Sequence, residues 1–367
     1  MRILHVLAEM TNDGNGLALF VQSLAEAQAI QGDTVNIFTN AGLYDPENPS
    51  SHNANPFYYN KDFASGLDKY AREADIIHIH GCWTYPVLAA ARTAKKNSIP
   101  YIHSPHGAFA PVQLAYSAWK KALVKPLQQT LCRHASFIHA ASELEAKWAT
   151  NYLNGKPPRI SVIPCGIERP QGNLPKSAIG QTSNLLYLGR LHPLKGVDIL
   201  LKAFAVSGAQ DEGATLTICG RNERGMLNEL KKQASELAIE NSVKFLSPVS
   251  HDKRWELLSK CDALILPSQS ENFGMTVGEA LALGKIAIAT KNSYWQMLDA
   301  KEIGFTVEPT VDDISKALVK LIALPSSERQ AMGQRAIAYI KENLTWDKTA
   351  SELHTEYLNA IARYKNG

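Results

Sequence analysis

No stretch of the 367-residue sequence supplies the ~20 consecutive apolar residues that crossing a bilayer requires. A membrane-spanning helix is therefore not expected. Cysteine is scarce and scattered: Cys82, Cys132, Cys165, Cys219 and Cys261 are odd in number and show no C-x-x-C spacing. That argues against a disulfide framework or a thiolate zinc site and for reduced thiols in a cytoplasmic protein. An excess of one charge sign is lacking as well. A net charge of +3 is too small for bulk nucleic-acid binding, although a local basic patch could still face phosphates or anionic lipid. The absence of a fixed-period repeat or low-complexity tract sets aside solenoids and disordered tails. The opening "MRILHVLAEMTNDG" has one basic residue and a short apolar run before turn residues, so a first strand is expected there and not a signal peptide.

What is present is alternation. The apolar runs "RILHVLA", "TVNIFTN", "ADIIHIHG", "PYIHSPHG" and "ASFIHAAS" are separated by amphipathic stretches. The same habit returns with "NLLYLGR", "TLTICG", "VKFLSP", "DALILPS", "IAIAT" and "IGFTVE". Strands alternating with helices predict parallel sheets wound by helices, an α/β fold, and the length predicts two domains of ~150 to 180 residues. The Pro-, Gly-, Ser- and Asn-rich segment near 166–183 is the expected hinge. Two doubly wound domains joined by a hinge imply a ligand cleft between them.

Three loops carry candidate chemistry. In "PSQSENFGMTVGEALALGK", Glu271 and Glu279 are separated by seven residues, with Glu271 in the loop after a strand, where ligands bind. Thr276 and Glu279 also fit a Ser/Thr-x-x-Glu capping box, which competes with any ligand role for Glu279. In "YLGRLHPLKGVDILLKAF", Arg190 and Lys195 stand between a strand and an apolar helix, a donor fork and an ammonium suited to a diphosphate. Asp13, Gly14, Asn15 and Gly16 open the first helix without forming G-x-G-x-x-G, so a dinucleotide cofactor is not expected.

Histidine and lysine raise two further options. His106 follows a strand and precedes Gly107. His78 and His80 share one strand face near His103 in the chain, but no cysteine or carboxylate is grouped with them, so no metal site is expected. The segment 116–135 interleaves Trp119, Leu123, Val124 and Leu127 with Lys120, Lys121 and Lys125. Such a stripe can lie on an anionic membrane or hold a lipid-linked acceptor. The commoner arrangement, and the one expected, is a core-facing helix with a solvated basic face, interrupted at Pro126.

Taken together, "HG" at His106 and Gly107, "GRLHPLKG" at 189–196 and "ENFGMTVGEALALGK" at 271–285 resemble the retaining glycosyltransferases of the GT-B fold, in particular family 4. The likeness covers nearly the whole chain, including "IPCGIE" and the helix at Trp346, with Cys165 standing where family members commonly carry Asn. The resemblance implies two Rossmann-like domains facing across a cleft. Residues 1–170 would bind acceptor, 171–345 would bind nucleotide sugar, and a helix at about 346–367 would pack back on the first domain. It implies Arg190 and Lys195 as the diphosphate clamp, Gly16 beside the phosphates and Glu279 on the ribose hydroxyls. Glu271 would contact the donor sugar, with the backbone of Asn272, Phe273 and Gly274, continuing into Met275 and Thr276, around it, and His106 would approach from the first domain. The implied reaction is hexose transfer with retention from a nucleotide sugar, UDP preferred, to a saccharide or lipid-linked saccharide in polysaccharide biosynthesis. Neither a cofactor nor a divalent metal is implied. The implied location is cytoplasmic, with peripheral membrane contact through 116–135 left open. Alternatives are a nucleotide-sugar epimerase of the same fold and an inert nucleotide-sugar-binding subunit. A glycosidase using the two glutamates would leave Arg190 and Lys195 without a role.

Overall fold

The computed structural model describes residues 1–10, 16–42, 57–59, 63–168, 184–223 and 225–366. Asp13 to Asn15 and most of the expected hinge lie outside them. The chain divides into two units, Met1–Gly166 with Thr345–Gly367, and Ile167–Leu344.

The first unit runs β1 (Arg2–Met10), α1 (Gly16–Ile30), β2 (Thr34–Gly42), β3 (Phe57–Tyr59), α2 (Phe63–Glu73), β4 (Ile76–His80), α3 (Tyr85–Lys96), β5 (Tyr101–Ser104), α4 (Pro111–Ala115), α5 (Ala118–His134), β6 (Ile138–Ala140), α6 (Glu143–Tyr152) and β7 (Ile160–Val162). The strands form one parallel sheet in the order β3-β2-β1-β4-β5-β6-β7. Every residue of β4 and β5 is buried, as expected of a parallel sheet covered on both faces. Its core is polar in an unusual way. The register pairs His5 with His78, His80 with Ser104, and His103 with Ile138. Because side chains alternate across a strand, His5, His78, His80, Ser104 and His139 share one face, and His103 falls on the other.

The second unit runs β8 (Asn184–Leu188), a 3-10 turn (Pro193–Lys195), α7 (Val197–Ser207), β9 (Thr215–Cys219), α8 (Met226–Glu236), β10 (Val243–Leu246), α9 (His251–Lys260), β11 (Ala263–Leu266), α10 (Met275–Ala282), β12 (Ile286–Thr290), β13 (Gly304–Val307), α11 (Val311–Ala323) and α12 (Ser326–Asn343). Its parallel sheet has the order β10-β9-β8-β11-β12-β13. Tyr187, Phe204, Leu216, Ile265 and Ile288 are buried in its core. The chain winds outward one way from β8 and the other way from β11, so the strand order reverses between these two neighbours.

The last helix, α13 (Trp346–Asn366), returns to the first unit. Thr345 Oγ1 accepts from the Lys348 N–H at 3.2 Å at its start, and Thr349 Oγ1 donates to the Pro164 carbonyl at 2.9 Å. Gln31, just past α1, donates to Asp347, and His354 lies 2.9 Å from Asp33. Thus α13 and α1 together cover the histidine face.

Helix α5 departs from its sequence reading twice. It continues through Pro126. The residue four positions earlier, Ala122, is exposed, as is Pro126, so water can satisfy the carbonyl that proline leaves without a donor. Nor does its apolar stripe face the core. Its buried residues are Gln128, Leu131 and Cys132, whereas Trp119, Leu123 and Leu127 are 69%, 74% and 47% exposed.

Candidate active site

In the second unit the loops after β8 and β11 meet where the strand order reverses. A crevice at the carboxyl ends of strands at such a point is where open α/β sheets bind ligands. The 3-10 turn presents Lys195, whose Nζ lies 2.5 Å from Glu271 Oε2. Both side chains are 16% exposed. Ser268 Oγ donates to the same carboxylate oxygen at 3.4 Å. The two loops are stitched together by the Gln269 N–H donating to the Leu194 carbonyl at 2.9 Å. Gly196, at φ 68°, permits this approach, since a Cβ there would overlap the Pro267 carbonyl oxygen.

Arg190 is half exposed and does not share the Lys195–Glu271 pair among the described residues. Its Nη1 donates to both Glu223 oxygens at 3.3 Å, and Arg221 Nη2 donates to Glu223 Oε1 at 2.9 Å. Burial works against ionising Glu223, but Arg221 and Arg190 more than offset it and hold the carboxyl below its ordinary range. His192 Nδ1 accepts from the Leu194 N–H at 3.2 Å. Burial, then the Arg190 charge, pushes that imidazole below its ordinary pKa.

Helix α10 begins at Met275, with Gly274 as its N-cap in the left-handed region and no side chain capping it. The capping box read from Thr276 and Glu279 is therefore not formed: Thr276 lies inside the first turn and Glu279 lies deeper still. Instead the Glu279 side chain is 1% exposed and its Oε1 lies 3.1 Å from Arg254 Nη2 on α9. A buried carboxylate needs such a cation, because its desolvation is otherwise uncompensated. Phe273 is buried against Tyr294 and Trp295, and Trp295 Nε1 donates to the Gly274 carbonyl at 3.0 Å. This fixes the turn while leaving Asn272, Gly274, Met275 and Thr276 partly accessible. The first turn of α10 contains no acidic residue, and the N–H groups of such a turn favour an anion.

In the first unit, Gly16 is exposed at the start of α1. His106 follows β5 with φ 51°, a left-handed conformation rare for a residue with a Cβ. The next N–H, of Gly107, donates to Glu145 Oε1 at 2.6 Å, and the Ala141 N–H donates to Glu145 Oε2 at 2.7 Å. Ser142 in turn caps α6 by accepting from the Glu145 N–H at 3.0 Å. The carboxylate of Glu145 thus holds the His106 turn in place. His103 does not join His78 and His80. Its Nε2 donates to the Gly81 carbonyl at 2.8 Å, with Cys82 and Cys132 beside it. The ring nitrogens of His5, His78 and His80 come within 4.8 Å of one another. Each of those nitrogens already has a hydrogen-bond partner, so a metal there would have to break the network.

Sequence reasoning missed Glu223, Arg221, Arg254 and Glu145. For Glu145 a signal existed in "SELE", a capping-box spelling. Arg254 carried none, because its partner Glu279 lies on another helix, and the neighbouring Arg221 and Glu223 fit no motif.

These features define a two-unit α/β protein with an anion-receptive crevice at the switch point of its second sheet. Residues 174–339 match the model of the glycosyl transferases group 1 family, and residues 15–166 match that of the glycosyl transferase 4-like domain. The chain belongs to the family 4 glycosyltransferases of the GT-B fold. It is 26% identical over 396 residues to the D-inositol 3-phosphate glycosyltransferase of Mycolicibacterium paratuberculosis, spanning 96% of this chain and 88% of the relative. Among solved structures, Anabaena Alr3699/HepE in complex with UDP-glucose superposes with a TM-score of 0.77 at 20% identity, covering 97% of this chain and all of that one. The sucrose-phosphate synthase of Thermosynechococcus elongatus gives 0.75 at 18% identity, covering 99% of each chain. These structural likenesses establish the fold. Among the described residues no helix is long and apolar enough to cross a membrane.

Proposed function

We propose that this glycosyltransferase moves a hexose, with retention of anomeric configuration, from a UDP-sugar to a saccharide or lipid-linked saccharide acceptor in polysaccharide biosynthesis. The Lys195–Glu271 pair at the switch point, beside the open N-terminus of α10, carries this reading. The UDP and glucose of the Anabaena structures support the donor class.

In this scheme Lys195 leaves Glu271 for the diphosphate, and Arg190 provides the second cationic contact. The freed Glu271 carboxylate, with backbone N–H groups of Asn272, Phe273 and Gly274, takes the sugar hydroxyls. Glu279, held by Arg254, accepts from the ribose, Gly16 lies beside the phosphates and His106 contacts the donor sugar. The bond from anomeric carbon to phosphate oxygen breaks as the acceptor oxygen bonds that carbon from the same face. The acceptor proton passes to the departing phosphate. Lys195 and Arg190 stabilise the charge that develops there, so no divalent ion is required.

A panel of UDP-, GDP-, ADP- and dTDP-sugars tests this, read as nucleoside diphosphate released, with and without chelator. The anomeric coupling constant of the product is read by NMR. An inverted product, or activity lost in chelator and restored by magnesium, contradicts the scheme. Turnover of donor to an epimer without acceptor favours the epimerase alternative.

Helix α5 gives the acceptor side a physical basis. Its exposed Trp119, Leu123 and Leu127 are flanked by Lys120, Lys121 and Lys125, and the helix contains no acidic residue. We assign this face to an anionic membrane surface that presents a lipid-linked acceptor.

A further inference from the structure

Four buried histidines of the first unit, His5, His78, His80 and His139, form with the half-buried His106 one continuous hydrogen-bonded relay, and its direction follows from its end. Burial pushes the imidazoles of His5 and His139 down to about 4, and those of His78, His80 and His106 below the ordinary value as well. Each is therefore neutral at pH 7, with one protonated and one bare ring nitrogen.

The Ile163 carbonyl can only accept, so His139 Nε2, 2.8 Å away, carries the proton. His139 Nδ1 is then bare and accepts from Ser104 Oγ at 2.8 Å. With its only hydrogen committed, Ser104 Oγ accepts from His78 Nε2 at 2.6 Å. His78 Nδ1 accepts from the Tyr357 hydroxyl at 2.7 Å. The Tyr357 oxygen accepts from Gln28 Nε2 at 3.3 Å, which turns Gln28 Oε1 toward His5. His5 Nε2 donates to that oxygen at 2.8 Å, and His5 Nδ1 accepts from His80 Nε2 at 2.8 Å. His80 Nδ1 then accepts from His106 Nε2 at 3.0 Å. No member is asked to donate or accept twice from the same site. The last ring, at the strained turn after β5, is left with Nδ1 bare.

We propose that this relay fixes the tautomer of His106, so that it presents Nδ1 as a hydrogen-bond acceptor to a hydroxyl of the donor sugar. Gln28, His5 and His80 are then positioning residues for the transfer, with Tyr357 on α13 anchoring the orientation of the Gln28 amide. The functional half rests on the donor-sugar assignment of His106 made above. An acceptor at that position selects a sugar that has a hydroxyl to donate. A His106 protonated at Nδ1 would turn the same hydroxyl from donor to acceptor, so that its hydrogen would need another acceptor in the site.

The test is long-range proton–nitrogen NMR of the full chain labelled at histidine, with the His106 signals assigned by their loss in His106→Ala. The expected result is Nε2–H for His5, His78, His80, His106 and His139, unchanged between pH 6 and 8. Gln28→Met removes the acceptor of His5 and lets the outer segment run backwards, moving the His106 proton to Nδ1. Release of nucleoside diphosphate from whichever nucleotide-glucose the enzyme consumes should then fall by about ten-fold, the worth of one hydrogen bond. Nucleoside diphosphate affinity, a property of the second unit in this scheme, should not move. The His106 tautomer is the readout that a merely structural role for Gln28 would not move. Wild-type His106 protonated at Nδ1, or a switched tautomer with unchanged rate, overturns the proposal. If His106→Ala leaves transfer intact while the NMR result holds, the positioning role and the donor-sugar assignment of His106 fail together. The relay itself then stands as a structural device.

Discussion

Lowering the pH from 7.5 to 5.0 should destabilise the first unit selectively. His5, His103 and His139 are buried, and burial pushes each imidazole down to about 4. In the unfolded chain the value is about 6.5. Between these two values the unfolded state binds more protons, so stability is fully present above about pH 6.5 and is lost as the pH falls toward 4. At pH 5.0 each of the three costs about 2 kcal/mol, or about 6 kcal/mol together, with a limiting slope of about 4 kcal/mol per pH unit. His78, His80 and His106 shift in the same direction and add to the loss. Domains are stable by only about 5–15 kcal/mol, so the loss is of the same order as the available margin. Pulse-labelling hydrogen exchange in urea, resolved by peptide mass spectrometry, separates β4 and β5 from β9 and β11 of the second unit. With a slope of about 2 kcal/mol/M, the urea midpoint of the first unit should drop by about 3 M. A drop no larger than that of the second unit would refute the reasoning, because it would mean the histidines are protonated in the folded state.

Three other outcomes follow from the second unit and from α5. Lys195→Ala should lower kcat about 100-fold, by analogy with loss of one transition-state donor; turnover near wild type in the same donor assay would remove Lys195 from the mechanism. Arg254→Met leaves the buried Glu279 carboxylate without the cation 3.1 Å away, which should cost about 3–5 kcal/mol in urea unfolding of the second unit and weaken nucleotide binding. An unchanged unfolding midpoint would contradict the pairing. Leu123→Glu on the exposed face of α5 should abolish co-sedimentation with vesicles rich in phosphatidylglycerol while leaving hydrolysis of soluble donor unchanged; equal sedimentation of variant and wild type would refute the membrane assignment.

Much of this fold is legible in the sequence because parallel strands buried on both faces spell continuous apolar runs. The runs at 263–266 and 286–290 are examples, each bounded by turn residues. The strands at 57–59 and 160–162 were not legible: three residues carry no period, and the second lies in a segment whose prolines read as linker. In the site, Lys195 and Glu271 could be found because each follows a strand at the edge where ligands bind. Their contact could not, since it depends on β8 and β11 being neighbours. Glu279 shows the opposite failure. A local capping box explained it from residues three apart, whereas the helix is capped at Gly274 and the true partner is Arg254 on a different helix. The α5 stripe shows that helical periodicity identifies an apolar face without saying what covers it. The histidine relay was invisible for a similar reason: its members come from four elements of the sheet and from helices at opposite ends of the chain, and only register brings them onto one face.

The central claim is that the second unit holds a nucleoside diphosphate at the switch point by Lys195, Arg190 and the α10 N-terminus, without a metal. Isothermal titration of the full chain with UDP, GDP, ADP and dTDP, in chelator and in magnesium, tests it most directly. The account predicts micromolar binding of UDP in preference to the others, equal in both conditions and lost in Lys195→Ala. Binding of none of the four, or binding that needs magnesium, would contradict it.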